Sequence, residues 1–198
     1  ELLAVELEAA GGVQVDEVPY RATGTFTVVP GSEAAPDASR RAVTLLIRAE
    51  DGAGVDAEAF AAEALTILND ERGWGPIEGV SFARTDDPAA ADLTLTIASP
   101  ATTEVLCGEL PTRGYTSCGR VDTVNINAAR WAHGADAFTA AGGSIEEYRI
   151  YLLNHEVGHP LGQWHVDCPA PGAAAPVMLQ QTLRLQGCVP NGWPGVAH

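Results

Sequence analysis

One segment in the last quarter of the chain constrains the fold more than any other, because residues 155–165 read His-Glu-Val-Gly-His-Pro-Leu-Gly-Gln-Trp-His. The stretch before it predicts a helix that begins at Ser144, which forms a capping box with Glu147 three residues on. That helix is apolar nearly all round, so it should lie buried at the centre of the protein. Positions four apart on a helix share one face. The sequence therefore predicts that His155 and His159 project side by side.

Two imidazoles at this spacing can share one metal ion, and three protein ligands with one open position define a catalytic zinc site. Gly162 allows a left-handed turn out of the helix, which brings His165 back as the third ligand. Glu156 borders the metal without binding it and can act as general base for a water molecule there. We therefore expect one catalytic Zn²⁺ on His155, His159 and His165. The alternative is a buried helix whose histidines are satisfied without a metal.

These residues resemble the metzincins, a clan of zinc peptidases defined by His-Glu-x-x-His-x-x-Gly-x-x-His and a downstream methionine turn. All five fixed positions match between His155 and His165, and the single methionine, Met178, lies downstream in Ala-Pro-Val-Met. The resemblance implies that Met178 forms a hydrophobic floor under the metal. The alternative for Met178 is an ordinary core residue.

A closer similarity is to an actinobacterial family of exported, metzincin-like proteins of largely unknown function. It covers roughly residues 20–195 and rests on 106–107, 125–131, Tyr148-Arg149 with Tyr151, 154–165 and 168–194. It implies an α+β, metzincin-like fold in which residues 1–198 form a single metallopeptidase domain. Residues 1–162 would form an upper subdomain with a twisted mixed sheet and two long helices. Residues 163–198 would form a small, irregular, disulfide-stapled C-terminal subdomain below a horizontal cleft, and an edge strand would bind extended peptide by strand addition.

Two positions depart from the metzincin pattern. Pro160 follows the second histidine directly, removes a helix hydrogen bond to the carbonyl of Glu156 and disfavours helical geometry at His159. We therefore expect the helix to kink or end early. Some metzincins place a tyrosine two residues after the methionine to stabilise the oxyanion, whereas this chain has Gln180 there. Stabilisation of the oxyanion would then come from zinc, Gln180, Gln181 or another group.

The rest of the chain reads as strand, helix, three strands and helix, followed by an irregular region. Apolar patterns predict strands at 20–29, 41–49, 80–84, 93–98 and 121–126, and three- and four-residue spacing predicts a helix over 55–72. Residues 1–18 are expected to form a lead-in and 100–119 a loop. Leu93, Leu95 and Ile97 alternate with threonines, which predicts one buried face and one face open to solvent or substrate.

The four cysteines form no CxxC motif. Proximity in the sequence favours the disulfides Cys107–Cys118 and Cys168–Cys188, one of three possible pairings, in an exported protein. Four free thiols in a cytosolic protein are the alternative. The first residues do not resemble a signal peptide, so for a secreted or cell-surface protein the targeting segment has been removed or lies outside this sequence.

The charge excludes some partners. A formal net charge of −15 leaves no basic surface for nucleic acid and disfavours anionic membranes. No apolar run approaches the ~18 residues of a membrane span. With 46% hydrophobic residues, the chain can bury a sizeable core. The expected partner is a peptide or protein substrate in an extended conformation, bound by a monomer.

The sequence therefore predicts a zinc-dependent endopeptidase that hydrolyses peptide bonds in extracellular or cell-envelope proteins. Glu156 would serve as its base. The alternative is a catalytically silent, zinc-bearing module that binds peptides or envelope partners through the same cleft. Hydrolysis of a non-peptide amide is a third possibility, with the same site and a different pocket shape.

Overall fold

The computed structural model describes residues 11–13 and 18–196, so most of the expected lead-in at 1–18 and all of His198 lie outside the described residues. The strands in this part of the chain are β1 (Phe26–Val28), β2 (Arg41–Glu50), β3 (Val80–Thr85), β4 (Leu93–Ala98), β5 (Cys118–Gly119) and β6 (Thr123–Asn127). The helices are α1 (Ala57–Leu68), α2 (Gly75–Glu78), α3 (Pro100–Cys107), α4 (Ala128–His133), α5 (Asp136–Ala140) and α6 (Ile145–Gly158).

The protein is α+β, and its strands form one mixed six-stranded sheet in the order β1-β2-β4-β6-β5, with β3 also paired to β2. The pairs β2–β3, β2–β4 and β4–β6 are parallel. The end strands β1 and β5 run antiparallel to β2 and β6. β5 is therefore an antiparallel strand at one edge of an otherwise mainly parallel sheet.

Three sequence-based expectations were wrong in detail. The predicted strand at 20–29 shortens to β1, and the expected loop at 100–119 contains α3, whose start at Pro100 is a common first position of helices. β4 has no open polar face: Thr94 is half-buried, and Thr96 is fully buried and accepts a hydrogen bond from Arg48 Nε at 3.0 Å. A strand in the middle of a parallel sheet is covered on both faces, and this overrides the alternating pattern.

The main core lies between the sheet and the helices α1 and α6. It includes Leu45 and Leu95 from the sheet, Phe60 from α1 and Leu153 from α6, all fully buried. Met178, from the irregular C-terminal region, belongs to the same core. A second, small cluster holds the C-terminal region together through Ala175, Leu179 and Cys188, packed against Cys168 and Ala173.

Both predicted disulfides are present. Cys107, at the end of α3, is bonded to Cys118 of β5, and Cys168 is bonded to Cys188. The first bond closes the loop that leads into the edge strand, and the second crosses the C-terminal region. In the chain-entropy model, loops of this size contribute about 3 kcal/mol each. Two such bonds favour an oxidising, extracellular environment.

Candidate metal centre

Helix α6 begins as the sequence predicts. Ser144 Oγ accepts a hydrogen bond from the backbone amide of Glu147 at 3.1 Å, and Glu147 Oε2 accepts one from the amide of Ser144 at 2.8 Å. This capping box satisfies two amides that helix geometry leaves unpaired. The helix is therefore fixed at the end opposite to the histidines.

The three predicted ligands converge. One ring nitrogen from each of His155, His159 and His165 lies within 4.8 Å of the others. His155 is buried, His159 is half-buried and His165 is exposed, so the cluster extends from the core to the surface. The ring centroids are 4.9 to 5.2 Å apart. Helix α6 supplies His155, and the turn that follows it supplies the other two.

Two backbone carbonyls set which ring nitrogen is free. His155 Nδ1 lies 2.8 Å from the carbonyl oxygen of Val177, and His159 Nδ1 lies 3.0 Å from that of Gln163. A carbonyl oxygen only accepts, so each Nδ1 carries the proton and each Nε2 keeps its lone pair. This hydrogen bond to a backbone oxygen is the usual support of a metal-binding histidine.

The end of α6 explains how His165 returns to the site. The amide of Gly162 donates to the carbonyl of His159 and that of Gln163 donates to Gly158, both at 2.9 Å. These two bonds, with Gly162 at φ +93°, form a Schellman-type helix end. Gly162 therefore makes the predicted left-handed turn.

Pro160 shortens the helix, as predicted, but it does not change the backbone at the second ligand. Regular helix ends at Gly158. His159 nevertheless keeps helical angles, φ −61° and ψ −52°, contrary to the expectation from its proline neighbour. The two Schellman bonds, which end on the carbonyls of Gly158 and His159, stabilise that conformation. His155 and His159 thus remain one helical turn apart.

Met178, which belongs to the C-terminal region, packs against helix α6. A Cβ added at Gly158 would lie 2.6 Å from Met178 Sδ and 2.9 Å from Trp74 Cζ2, closer than real contacts allow. The backbone carbonyl of Met178 accepts a hydrogen bond from the amide of Val166 at 3.2 Å. Met178 therefore contacts the helix between the first two histidines and is tied to the residue after the third, His165.

Glu156 is almost fully buried, with 6% of its surface exposed. Burial raises the pKa of its carboxyl group to about 8, and the backbone amide of Gly119 opposes that rise. Strand β5 lies so close that a Cβ on Gly119 would overlap the carbonyl oxygen of Glu156. Strand β5 therefore lies directly beside the carbonyl of Glu156, to which Pro160 cannot donate a helix hydrogen bond.

Burial also keeps the histidines neutral. It lowers the pKa of His155 to about 3, and the nearby rings of His159 and His165 lower it further. The bond to the Val177 carbonyl acts in the opposite direction. Burial is the main cause of the lowered pKa values at His159 and His165 as well. Neutral imidazoles with free lone pairs are the form that binds metal, so the donor set fits a metal ion.

The triad opens into a cleft of about 680 Å³. Its lining comes from the loop that leads into β5, from α6 and its end, and from Gln180, Thr182 and Leu183. Gln180 lines the cleft, whereas Gln181 is fully buried and hydrogen-bonded to the backbone of Asn191. Of the two glutamines considered for oxyanion stabilisation, only Gln180 therefore reaches the substrate space.

Four further residues of types that can bind a metal or a substrate, Asp167, His133, Trp131 and Trp164, lie outside the histidine cluster. Asp167 accepts a hydrogen bond from Gln186 Nε2 at 2.7 Å and so is held by a glutamine. His133 is exposed on α4 and does not belong to the histidine cluster. Trp131 is fully buried, whereas Trp164 is 81% exposed and lines the cleft.

Some residues around the site were not predicted from the sequence to belong to it. Tyr151 and Thr182 line the cleft, and Tyr151 OH donates to the carbonyl of Leu179 at 3.2 Å. Tyr151 lies one helical turn before His155, which was the available signal. Thr182, Val177 and Gly119 act through contacts between distant segments, and the local sequence carries no sign of them.

The protein is thus an α+β protein with a candidate metal site. Three converging histidines and a buried carboxyl group line its cleft. The family model described as "Protein of unknown function (DUF3152)" matches residues 13–189, so the chain belongs to that family. No curated protein and no solved structure gives a significant match. None of the helices in the described part of the chain has the length and apolar character needed to cross a membrane.

Proposed function

We propose that the protein is a zinc-dependent, metzincin-like endopeptidase that cleaves peptide bonds in extracellular or cell-envelope proteins. One observation carries the proposal: three histidine nitrogens lie within 4.8 Å of one another, and these histidines and the buried Glu156 line the same open cleft. A structural zinc site is normally closed by four protein ligands. Three imidazoles and an adjacent carboxyl group are the set that hydrolysis requires.

Histidines 155, 159 and 165 would hold the ion through ring nitrogens. When bound, zinc polarises the scissile carbonyl and lowers the pKa of a water molecule. Glu156 is ionised at neutral pH once positive charge occupies the triad, because an opposite charge nearby lowers a carboxyl pKa. Its carboxylate then accepts the proton of the attacking water and passes it to the leaving amine.

The cleft suits an extended peptide. Cys118 and Gly119 of the antiparallel edge strand β5 both line it, and in the proposed binding mode an extended substrate would add to this edge of the sheet as a further strand. Gln180 offers a side-chain amide to the developing oxyanion. In the metzincin-like reading, residues 1–162 form the upper subdomain and 163–198 the lower one, with Met178 as the floor of the site and α1 and α6 as its two main helices.

The test is cleavage of a diverse peptide library by zinc-loaded protein, with and without a chelator, followed by mass spectrometry. Glu156→Gln is nearly isosteric but accepts no proton, so it should keep the metal and lose about 10²–10⁴-fold in rate. Glu146→Gln, on the exposed side of the same helix, is the matched control and should behave as wild type.

Cleavage that survives the chelator, or that Glu156→Gln retains, contradicts the proposed mechanism. A zinc-loaded wild type that binds peptides and cleaves none favours the catalytically silent binding module instead.

A further inference from the structure

The cleft differs in charge from the rest of the protein. The chain carries 26 acidic and 11 basic residues. Among the described residues that line the cleft, Glu156 is the only carboxylate and Arg113 the only arginine. Glu156 is buried, whereas Arg113 is exposed. A substrate that enters therefore meets a positive group in a protein whose overall charge is negative.

Arg113 lies on a loop that is fixed on both sides. The amide of Tyr115 donates to the carbonyl of Thr112 at 2.8 Å, and Asn127 Nδ2 donates to the carbonyl of Gly114 at 3.0 Å. The guanidinium of Arg130 lies 4.4 Å from the centre of the Tyr115 ring. These contacts hold the loop to α4 and the end of β6, so the backbone of Arg113 has a defined position over the cleft.

No described residue forms an ion pair with Arg113. The ion pairs in the described part of the chain involve other arginines, namely Arg40, Arg72 and Arg149. The backbone of Arg113 has φ +53°, a left-handed conformation that is unfavourable for a residue with a side chain. An unpaired guanidinium in a cleft gains a charge-assisted, bidentate hydrogen bond when a carboxylate arrives.

Apolar side chains surround the same opening. Trp164 is 81% exposed, Leu183 49% and Leu110 41%, and all three line the cleft. Each exposes apolar surface, and a substrate that covers this surface removes it from water, which favours binding. Large exposed apolar residues gathered at one cleft are typical of a binding site.

We propose that the cleft selects extended peptides that place an acidic side chain against Arg113 and large apolar side chains against Leu110, Trp164 and Leu183. This rests on the proposed function and names its substrate class. The occupant is an acidic, apolar peptide segment, because its charge complements the single exposed cation of the cleft lining.

The test is peptide binding measured by fluorescence anisotropy at low salt. The peptides are acetylated and amidated, which removes terminal charges, and they carry apolar residues around one position that is Glu, Gln or Lys. We expect the Glu peptides to bind about tenfold more tightly than the Gln peptides, and the difference to shrink in high salt.

Arg113→Glu should reverse the preference towards the Lys peptides, and Arg113→Gln should abolish it. Arg41→Glu changes an exposed arginine that does not line the cleft and should leave the preference intact. A Glu preference that persists in Arg113→Glu overturns the proposal, and so does wild-type protein that binds none of the peptides.

Cleavage assays on the same peptides separate this inference from the proposed function. Zinc-dependent cleavage without a Glu preference overturns the role of Arg113 alone. A Glu preference in binding that depends on Arg113, without any cleavage, supports the recognition site and contradicts the peptidase.

Discussion

The Nδ1 of His155 donates to the carbonyl oxygen of Val177 at 2.8 Å, which ties helix α6 to the residue directly before Met178. The C-terminal region therefore supports the candidate site directly. It fixes the tautomer and the ring orientation of the most buried candidate ligand. The same segment places Met178 against Gly158, so the supports of the site come from residues 177 and 178 together.

The first prediction concerns metal content. The protein should bind close to one zinc ion per chain, and alanine at His155, His159 or His165 should weaken binding at least about 100-fold, since each supplies one of three ligands. Elemental analysis and zinc titration measure this. His133→Ala, which alters an exposed histidine outside the cluster, is the control. Full zinc binding by any of the three ligand variants would contradict the assignment.

The second prediction concerns the contact between Gly158 and Met178. Replacement of glycine by alanine within a helix usually stabilises by about 0.5–1 kcal/mol. At Gly158 the added Cβ would lie 2.6 Å from Met178 Sδ, so Gly158→Ala should instead destabilise the protein by about 1–3 kcal/mol. Urea unfolding of the metal-free protein measures the change.

The double variant with Met178→Ala tests the cause. Met178→Ala alone should also destabilise, because it leaves a cavity in the core. In the double variant the alanine at 158 fills part of that cavity, so the loss should be smaller than the sum of the two single losses. Strict additivity would show that Met178 is not what Gly158 makes room for.

Local features of this protein were accessible from the sequence, and contacts between distant segments were not. The capping box of Ser144, the turn at Gly162 and the histidine spacing each depend on a few neighbouring residues, and the structure contains all three. The cysteine pairing was accessible for the same reason, since each pair closes a short loop. A local pattern with a defined backbone geometry specifies its own structure.

The supports of the site depend on tertiary structure. Nothing near Gly119 indicates that it must lie against Glu156, and nothing near Val177 indicates a bond to His155. The burial of the threonine face of β4 was missed because Thr96 is covered by other parts of the fold, including Arg48. The alternating pattern predicted the strand correctly, but it predicted the exposure of the threonines wrongly.

The third prediction separates Gln180 from Gln181. Gln180→Ala should lower kcat about 10²-fold with little change in stability, because its side chain lines the cleft and would lose an oxyanion contact. Gln181→Ala should lower the free energy of unfolding by about 1–3 kcal/mol, because the backbone groups of Asn191 that it bonds become unpaired. Steady-state kinetics and urea unfolding distinguish the two. Equal kinetic effects from both variants would contradict the assignment of Gln180.

The last prediction concerns the stability of the metal-free protein as a function of pH. Burial raises the pKa of Glu156 from 4.5 to about 8, so the folded protein binds this proton more tightly than the unfolded chain. That contribution to stability is complete below about pH 4.5 and is lost as pH rises to about 8. Burial lowers the pKa of His155 from 6.5 to about 3, so its contribution is complete above about pH 6.5 and is lost as pH falls.

Glu156→Gln removes only the first effect, so the variant should gain stability relative to wild type between about pH 5 and pH 8, by a margin that stays constant above that range. Urea unfolding at intervals from pH 4 to 9, with chelator present, measures the difference, and the exposed Glu146→Gln should follow wild type throughout. Parallel curves for Glu156→Gln and wild type would mean that the carboxyl group of Glu156 is not held in its neutral form by burial.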